Sequence, residues 1–314
     1  MTKHLIIITL FFASFLCFSQ NYYTYYEGIK QAKLGLVADK LEASVTFYVE
    51  TFEKFDFVFA RDAYNAFEVA AILKDFEKMD YFARRCIKQG VAFELLVQDS
   101  TLSAFKTSDY WPKLNIDQDS LRAIYEAGIN WELRNEINAM FAEDQEIREL
   151  AFKNRHNPFK IGKLKKQFEE IDYKLVLLLL EITKQYGFPG EKLIGLDESF
   201  MHPKINATDL CAGMPIVIFI HHFSQPNESY NSILIHEIET GHLYNEHYAT
   251  ISDFQHEYGK EKFGEIPCYS QKFLPKVAVD VIDDKRSAIG LIDLTNTYAL
   301  QRKGYITPFW MRFK

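Results

Sequence analysis

Apolar residues recur at three- and four-residue spacing along most of the chain, and strand-like alternation is scarce, so the pattern predicts a mainly α-helical protein. The strongest stretch is Lys163 to Tyr186, where Phe168, Ile171, Leu175, Leu178, Leu179 and Ile182 share one face and most of the charge lies elsewhere. Gly187 and Pro189 then stop the helix, the first as a left-handed cap and the second as a breaker. Upstream, Asp109-Tyr110-Trp111-Pro112 interrupts the pattern, because proline disfavours helix in the residue before it. A further helical pattern runs from Asp119 to Phe152 with Asp119 or Ser120 as its cap, and Asn154 to Pro158 breaks it. Near the end, helices are predicted over Ser229–Thr240, Tyr244–Tyr258, Lys276–Ala288 and Leu294–Arg302, with Gly241 and Gly259 closing the first two. The apolar run Ile216 to Phe223 fits a buried strand or a helix, and periodicity does not choose.

The first hundred residues contain two similar units. Asp39-Lys40-Leu41 leads into Ala43, Phe47 and Phe52, and Lys74-Asp75-Phe76 leads into Met79, Tyr81, Phe82 and Ile87. Their offset is close to the ~34 residues of a tetratricopeptide repeat. The stretch from Asp39 to Trp111 resembles degenerate units of that kind, without the Trp-Leu-Gly start or the terminal proline. Such hairpins bury their faces only by stacking, and Phe93 to Trp111 is expected to supply a closing layer. The resemblance implies a groove for a protein or peptide partner at the N-terminal helices; the competing reading is that they brace the second half.

Composition narrows the field. Of 314 residues, 48% are hydrophobic and 25% charged, with 27 Phe and 18 Tyr, which suits globular packing built on large rings. A net charge of −7 argues against nucleic acid as the main partner, since phosphate binding rests on clustered Lys and Arg. Residues 1–19 read as a signal peptide: Lys3 and His4, then an apolar run from Leu5 to Phe18, then Ser19. The run is shorter than the ~18 apolar residues of a retained span, so no membrane span is expected after cleavage and the chain is expected to be exported, periplasmic or secreted. Cys86, Cys211 and Cys268 then remain; Cys211 and Cys268 either pair in an oxidising compartment or pack as small hydrophobes. The expected organisation is a helical-repeat, tetratricopeptide-like part over 20–114 packed with a helical domain over 115–314.

Candidate chemistry concentrates between Met214 and Asp253, which holds His221, His222, His236, His242 and His247 beside Glu237, Glu239 and Glu246. A zinc-protease helix needs two histidines at i and i+4, but His236 is followed at that spacing by Thr240. Neither a metal nor a cofactor is expected. Acid–base chemistry needs an imidazole held against a carboxylate. The preferred catalytic pair is His222 with Asp253, and His221 competes for the imidazole role. Asp144 and Arg148 support the pair, Arg148 by orienting a ligand carboxylate or phosphate. No Ser or Cys stands in a recognisable nucleophile turn.

Several short motifs occur together: DQEIR at 144–148, YGFPGEKLIG at 186–195, a histidine of IFIHHF, GHLYNEHYATISD at 241–253, YSQ at 269–271 and DKRSAIGL at 284–291. In this order they resemble a bacterial domain family of unknown function, often exported and sometimes carried behind tetratricopeptide-like helices. The resemblance spans Leu133 to Tyr298 and adds Tyr269, Gln271 and Arg286 to Asp144 and Arg148 as ligand-binding residues. The chain departs from the pattern at Phe254, where an arginine is expected after Asp253. The expected function is a protein-interaction or ligand-binding module of the cell envelope; the alternatives are a hydrolase using a His/Asp pair and a metal-binding protein.

Overall fold

The computed structural model describes residues 20–98, 103–196, 213–222, 228–258, 268–270 and 278–303. Among them every regular element is a helix and there is no strand. The first helices are α1 (Tyr22–Val37), α2 (Leu41–Phe52), α3 (Ala60–Leu73), α4 (Phe76–Lys88) and α5 (Phe93–Gln98). They continue with α6 (Trp111–Gly128), α7 (Trp131–Lys153), α8 (Pro158–Tyr186), α9 (Glu191–Ile194) and α10 (Met214–His221). The last are α11 (Glu228–Glu239), α12 (Asn245–Tyr258), α13 (Val279–Ala288) and α14 (Leu294–Lys303). The segment read as a signal peptide, Cys211 and Gln271 lie outside the described residues.

Local chemistry sets the ends of these helices. Asn21, Asp75, Asn130 and Asn157 each accept a hydrogen bond from a backbone N–H in the first turn of the helix that follows. Pro112 and Pro158 occupy first-turn positions, where a missing N–H costs nothing. The proline expected to interrupt the pattern at 109–112 therefore starts α6 earlier than Asp119. The single helix expected over 119–152 is two, parted at Ile129-Asn130, where Asn130 caps α7. The boundary expected between 114 and 115 falls inside α6.

Helices α1 and α2 pair, as do α3 and α4, and α6 packs on α4, where Arg84 bridges Asp80 and Asp117 at 2.8 Å each. A Cβ on Gly28 would stand 2.1 Å from Thr51 Oγ1, so glycine is what lets α1 and α2 approach this closely. Helix α1 also meets α11 and α14, and one hydrophobic cluster runs from Tyr22 to Leu300 through both halves. Its centre is aromatic: Tyr26, Phe59 and Tyr244 lie within 4.7–6.2 Å of one another, joining α1, the start of α3 and the approach to α12. Fully burying rings of this size contributes about 1.5–3 kcal/mol each.

A polar network threads the same interface. Asp62, fully buried on α3, accepts hydrogen bonds from Tyr25 at 2.8 Å and Tyr244 at 2.9 Å. Beside it, Arg61 pairs with Glu246 at 3.1 Å, lies 4.0 Å from the Tyr244 ring centre and reaches His247 Nε2. Lys33 closes the network on Glu246 at 3.0 Å. Burial raises the Asp62 pKa; at Glu246 burial acts the same way, but Lys33 and Arg61 outweigh it and hold that carboxyl below its usual range. Burial and Arg61 together keep His247 neutral well below its usual pKa.

Candidate functional site

Helices α7 and α8 form an antiparallel pair whose inner faces each carry one carboxylate. On α7 the buried stripe is Leu133, Ile137, Met140, Asp144 and Ile147, a four-three-four-three spacing in which Asp144 occupies a core position. On α8, Asp172 stands in line with Leu164, Leu175, Leu179 and Ile182. Charges at core positions are tolerated only when paired, and both pair with Arg148, one turn beyond Asp144. Its Nη2 lies 2.7 Å from Asp172 and 3.2 Å from Asp144.

Helix α10 completes the site. Every residue from Met214 to Ile220 is buried, so the apolar run is a short core helix and not a strand. It packs against α7, α8 and α12 and delivers His221 at its C-terminus. The His221 Nδ1 lies 3.0 and 2.9 Å from the two Asp144 oxygens, and Arg148 Nε is 2.8 Å away. A ring nitrogen serves only one such partner. Nδ1 thus meets a donor, the Arg148 Nε–H, and an acceptor, the Asp144 carboxylate, and the ring's tautomer sets which of the two it serves. Nε2 has no partner among the described residues. Gln145 Nε2 donates to Asp144 at 2.6 Å and completes its solvation.

Exposure is divided between the groups. The side chains of His221 and Arg148 are each 23% exposed, whereas Asp144 is at 0% and Asp172 at 8%. The imidazole and guanidinium therefore front the site, with the carboxylates behind. Burial pushes the Asp172 pKa up to about 6 against the opposing pull of Arg148. The cluster holds two carboxylates against one guanidinium, and its charge changes near neutral pH.

The other residues singled out by sequence fall elsewhere. His222, buried at the end of α10, has its ring 6.0 Å from that of Tyr173. Asp253, on α12, is buried and accepts from the Tyr269 N–H at 2.7 Å. Arg286, on α13, is also buried; it donates to Tyr269 O at 2.6 Å, Ile292 O at 2.7 Å and Thr297 Oγ1 at 3.0 Å. Asp253, Tyr269 and Arg286 thus form a second cluster in which Arg286 ties three backbone and hydroxyl oxygens together. The imidazole seated on Asp144 is that of His221, not the preferred His222. A helix turns adjacent side chains about 100° apart, and this sends only the first of the two towards α7.

The rest of the histidine-rich stretch disperses. His242 pairs with Glu237 at 3.1 Å, His247 with Arg61, and His236 lies exposed, 3.6 Å from Glu239. Among the described residues no three His, Cys, Asp or Glu side chains are arranged to hold a metal ion. Cys86 and Cys268 are free, buried thiols, and burial with the nearby Asp253 carboxyl pushes Cys268 up to about 11. No helix among the described residues is long and apolar enough to cross a membrane. Sequence reading missed Asp172 and Asp62; the signal for each was a carboxylate set on an otherwise apolar face.

Compared with models of protein families, with curated proteins and with solved structures, the chain matches none.

Proposed function

We propose that this protein binds a small polar ligand at the cluster of Asp144, Arg148, Asp172 and His221, and that His221 exchanges a proton with that ligand. The observation that carries this reading is the contact between His221 Nδ1 and buried Asp144 at 2.9 Å, with Nε2 left unengaged on a ring that solvent reaches. With Nδ1–H turned to Asp144, Nε2 carries the lone pair and serves as acceptor first and donor afterwards. Because Arg148 is already answered by two carboxylates, the site favours a ligand that presents hydrogen-bond donors or positive charge over a bare anion. We also read the chain as an exported member of the domain family that its motifs resemble, with α1–α4 as degenerate tetratricopeptide-type hairpins. The consecutive pairing of α1 with α2 and α3 with α4 supports the latter.

A second reading, acid–base hydrolysis, draws on the same dyad: His221 would take a proton from water and return it to a leaving group. Both readings are tested with the mature chain and its His221→Gln variant. The first measurement is a ligand screen by thermal shift across amines, amino acids, sugars and short peptides; the second is a panel of ester, amide, glycoside and phosphoester substrates. The binding reading expects a hit whose stabilisation His221→Gln abolishes while the ligand-free melting temperature stays within a few degrees. Hydrolysis lost in the same variant would establish the second reading. Ligands or turnover indifferent to His221→Gln would overturn both.

A further inference from the structure

The turn between α7 and α8 carries features that the site above does not use. Between positions 150 and 166 there are six Lys and Arg and no Asp or Glu, in a chain whose net charge is −7. The same turn presents Leu150, Phe152 and Phe159, exposed at 45%, 65% and 90%, and Phe159 is the most exposed large apolar side chain among the described residues. Folding normally removes such rings from water, and an apolar tip rimmed by charge marks an interaction surface.

Seventeen residues across the α7–α8 turn, 150–166, carry all of these groups. Leu164 is buried and anchors the first turns of α8 against the protein. At 100° per residue, Phe159, Gly162 and Lys166 lie on the side opposite Leu164, with Lys163 and Lys165 flanking them. Across the turn, the Arg155 guanidinium sits 4.1 Å from the Phe152 ring centre, so that ring and charge are presented together. Lys153 and Lys166 have carboxylate neighbours, Glu149 at 2.6 Å and Glu170 at 3.9 Å, both highly exposed. Arg155, Lys160, Lys163 and Lys165 have no ion pair among the described residues.

We propose that this tip docks on a bilayer bearing anionic lipid headgroups, with Phe152 and Phe159 entering the interface and the surrounding cations meeting phosphates. The chemistry matches interfacial anchoring, in which apolar burial and electrostatic attraction add. The chemistry favours a bilayer over a strand of nucleic acid or an acidic peptide, because large exposed apolar side chains accompany the cations. The charge distribution favours it too: with all six cations at this end, the remainder of the chain is strongly negative and is repelled by the same surface. The tip therefore leads. Four residues, about 6 Å of helix, separate Phe152 from Arg148, so docking would set the polar site close beneath the headgroups.

The test uses the mature chain and co-sedimentation with vesicles of phosphatidylcholine alone or mixed with phosphatidylglycerol, at low and high salt. Binding is expected to the mixed vesicles only, and to fall with salt. Lys163→Gln and Lys165→Gln should each weaken it about fivefold, and Phe152→Ser with Phe159→Ser should abolish it. All four positions are exposed, so circular dichroism melting should match the unsubstituted chain. Equal binding to both vesicle types, no binding to either, or retention by the double Phe variant overturns the proposal. Binding to a single-stranded oligonucleotide that the Phe substitutions abolish, with vesicles ignored, reassigns the tip to nucleic acid and overturns it as well.

Discussion

His221 Nδ1 stands 2.9 Å from Asp144 Oδ2, across 77 positions of sequence, and this contact competes with the Arg148 Nε–H, 2.8 Å from the same nitrogen, to set where the ring holds its proton. With Asp144 present, long-range proton–nitrogen correlation spectra of the imidazole are expected to show the Nδ1–H tautomer at neutral charge. Asp144→Asn removes the carboxylate and leaves Arg148 Nε–H as the nearest donor, so the ring should switch to Nε2–H. The same tautomer in both proteins would undo the assignment of Nε2 as the working nitrogen.

Asp172 gives the protein a pH response of definite sign. Its folded-state pKa is about 6, above the usual aspartate value of 3.8, because burial disfavours the charged form more than Arg148 favours it. The folded state therefore holds the proton more tightly. The stabilisation is complete below about pH 4 and is lost as pH rises through about 6, by roughly 1–3 kcal/mol. Asp172→Asn should remove that part of the slope. Urea midpoints measured for both proteins at acid and neutral pH check this, and an unchanged slope in the variant would assign the response elsewhere.

Asp62 should behave as a structural carboxylate. Truncation to Ala strands the Tyr25 and Tyr244 hydroxyls in a buried setting, and a loss of about 2–5 kcal/mol is expected. Tyr244→Phe removes one hydrogen bond and should cost about 1 kcal/mol. Chemical denaturation of the single and double variants should reveal coupling, the pair costing less than the sum of the singles. Strict additivity would mean the contact contributes nothing.

Arg286 separates a ligand-binding role from a structural one. Lysine offers one ammonium where the guanidinium reaches Tyr269 O, Ile292 O and Thr297 Oγ1 at once. Arg286→Lys is expected to destabilise by about 2–4 kcal/mol. A variant of full stability that no longer binds the site's ligand would return Arg286 to the role implied by its motif.

The sequence disclosed the helices whose faces differ. Helix α8 was legible because Phe168, Leu175 and Leu179 face one way and its lysines another. Helix α10 was not, because Met214 to Ile220 are buried on every side and a run without contrast carries no period. That ambiguity propagated to the site: a strand would have sent His221 and His222 to opposite faces, and the helix presents the first to Asp144. Asp144 and Arg148 were legible as a pair one helical turn apart. Asp172 lacked any local motif; only the facing of α7 and α8 reveals what it answers. The cations of the α7–α8 turn were hidden by the overall acidic balance, which averages over the whole chain.

The hydrogen bond from Tyr244 to Asp62 spans 182 residues. At a synthesis rate of about 5–20 residues per second, the ribosome needs roughly 10–40 s between making the acceptor and making this donor. During that interval water must stand where the Tyr244 hydroxyl will be, so the acceptor is laid down long before the partner that completes its burial.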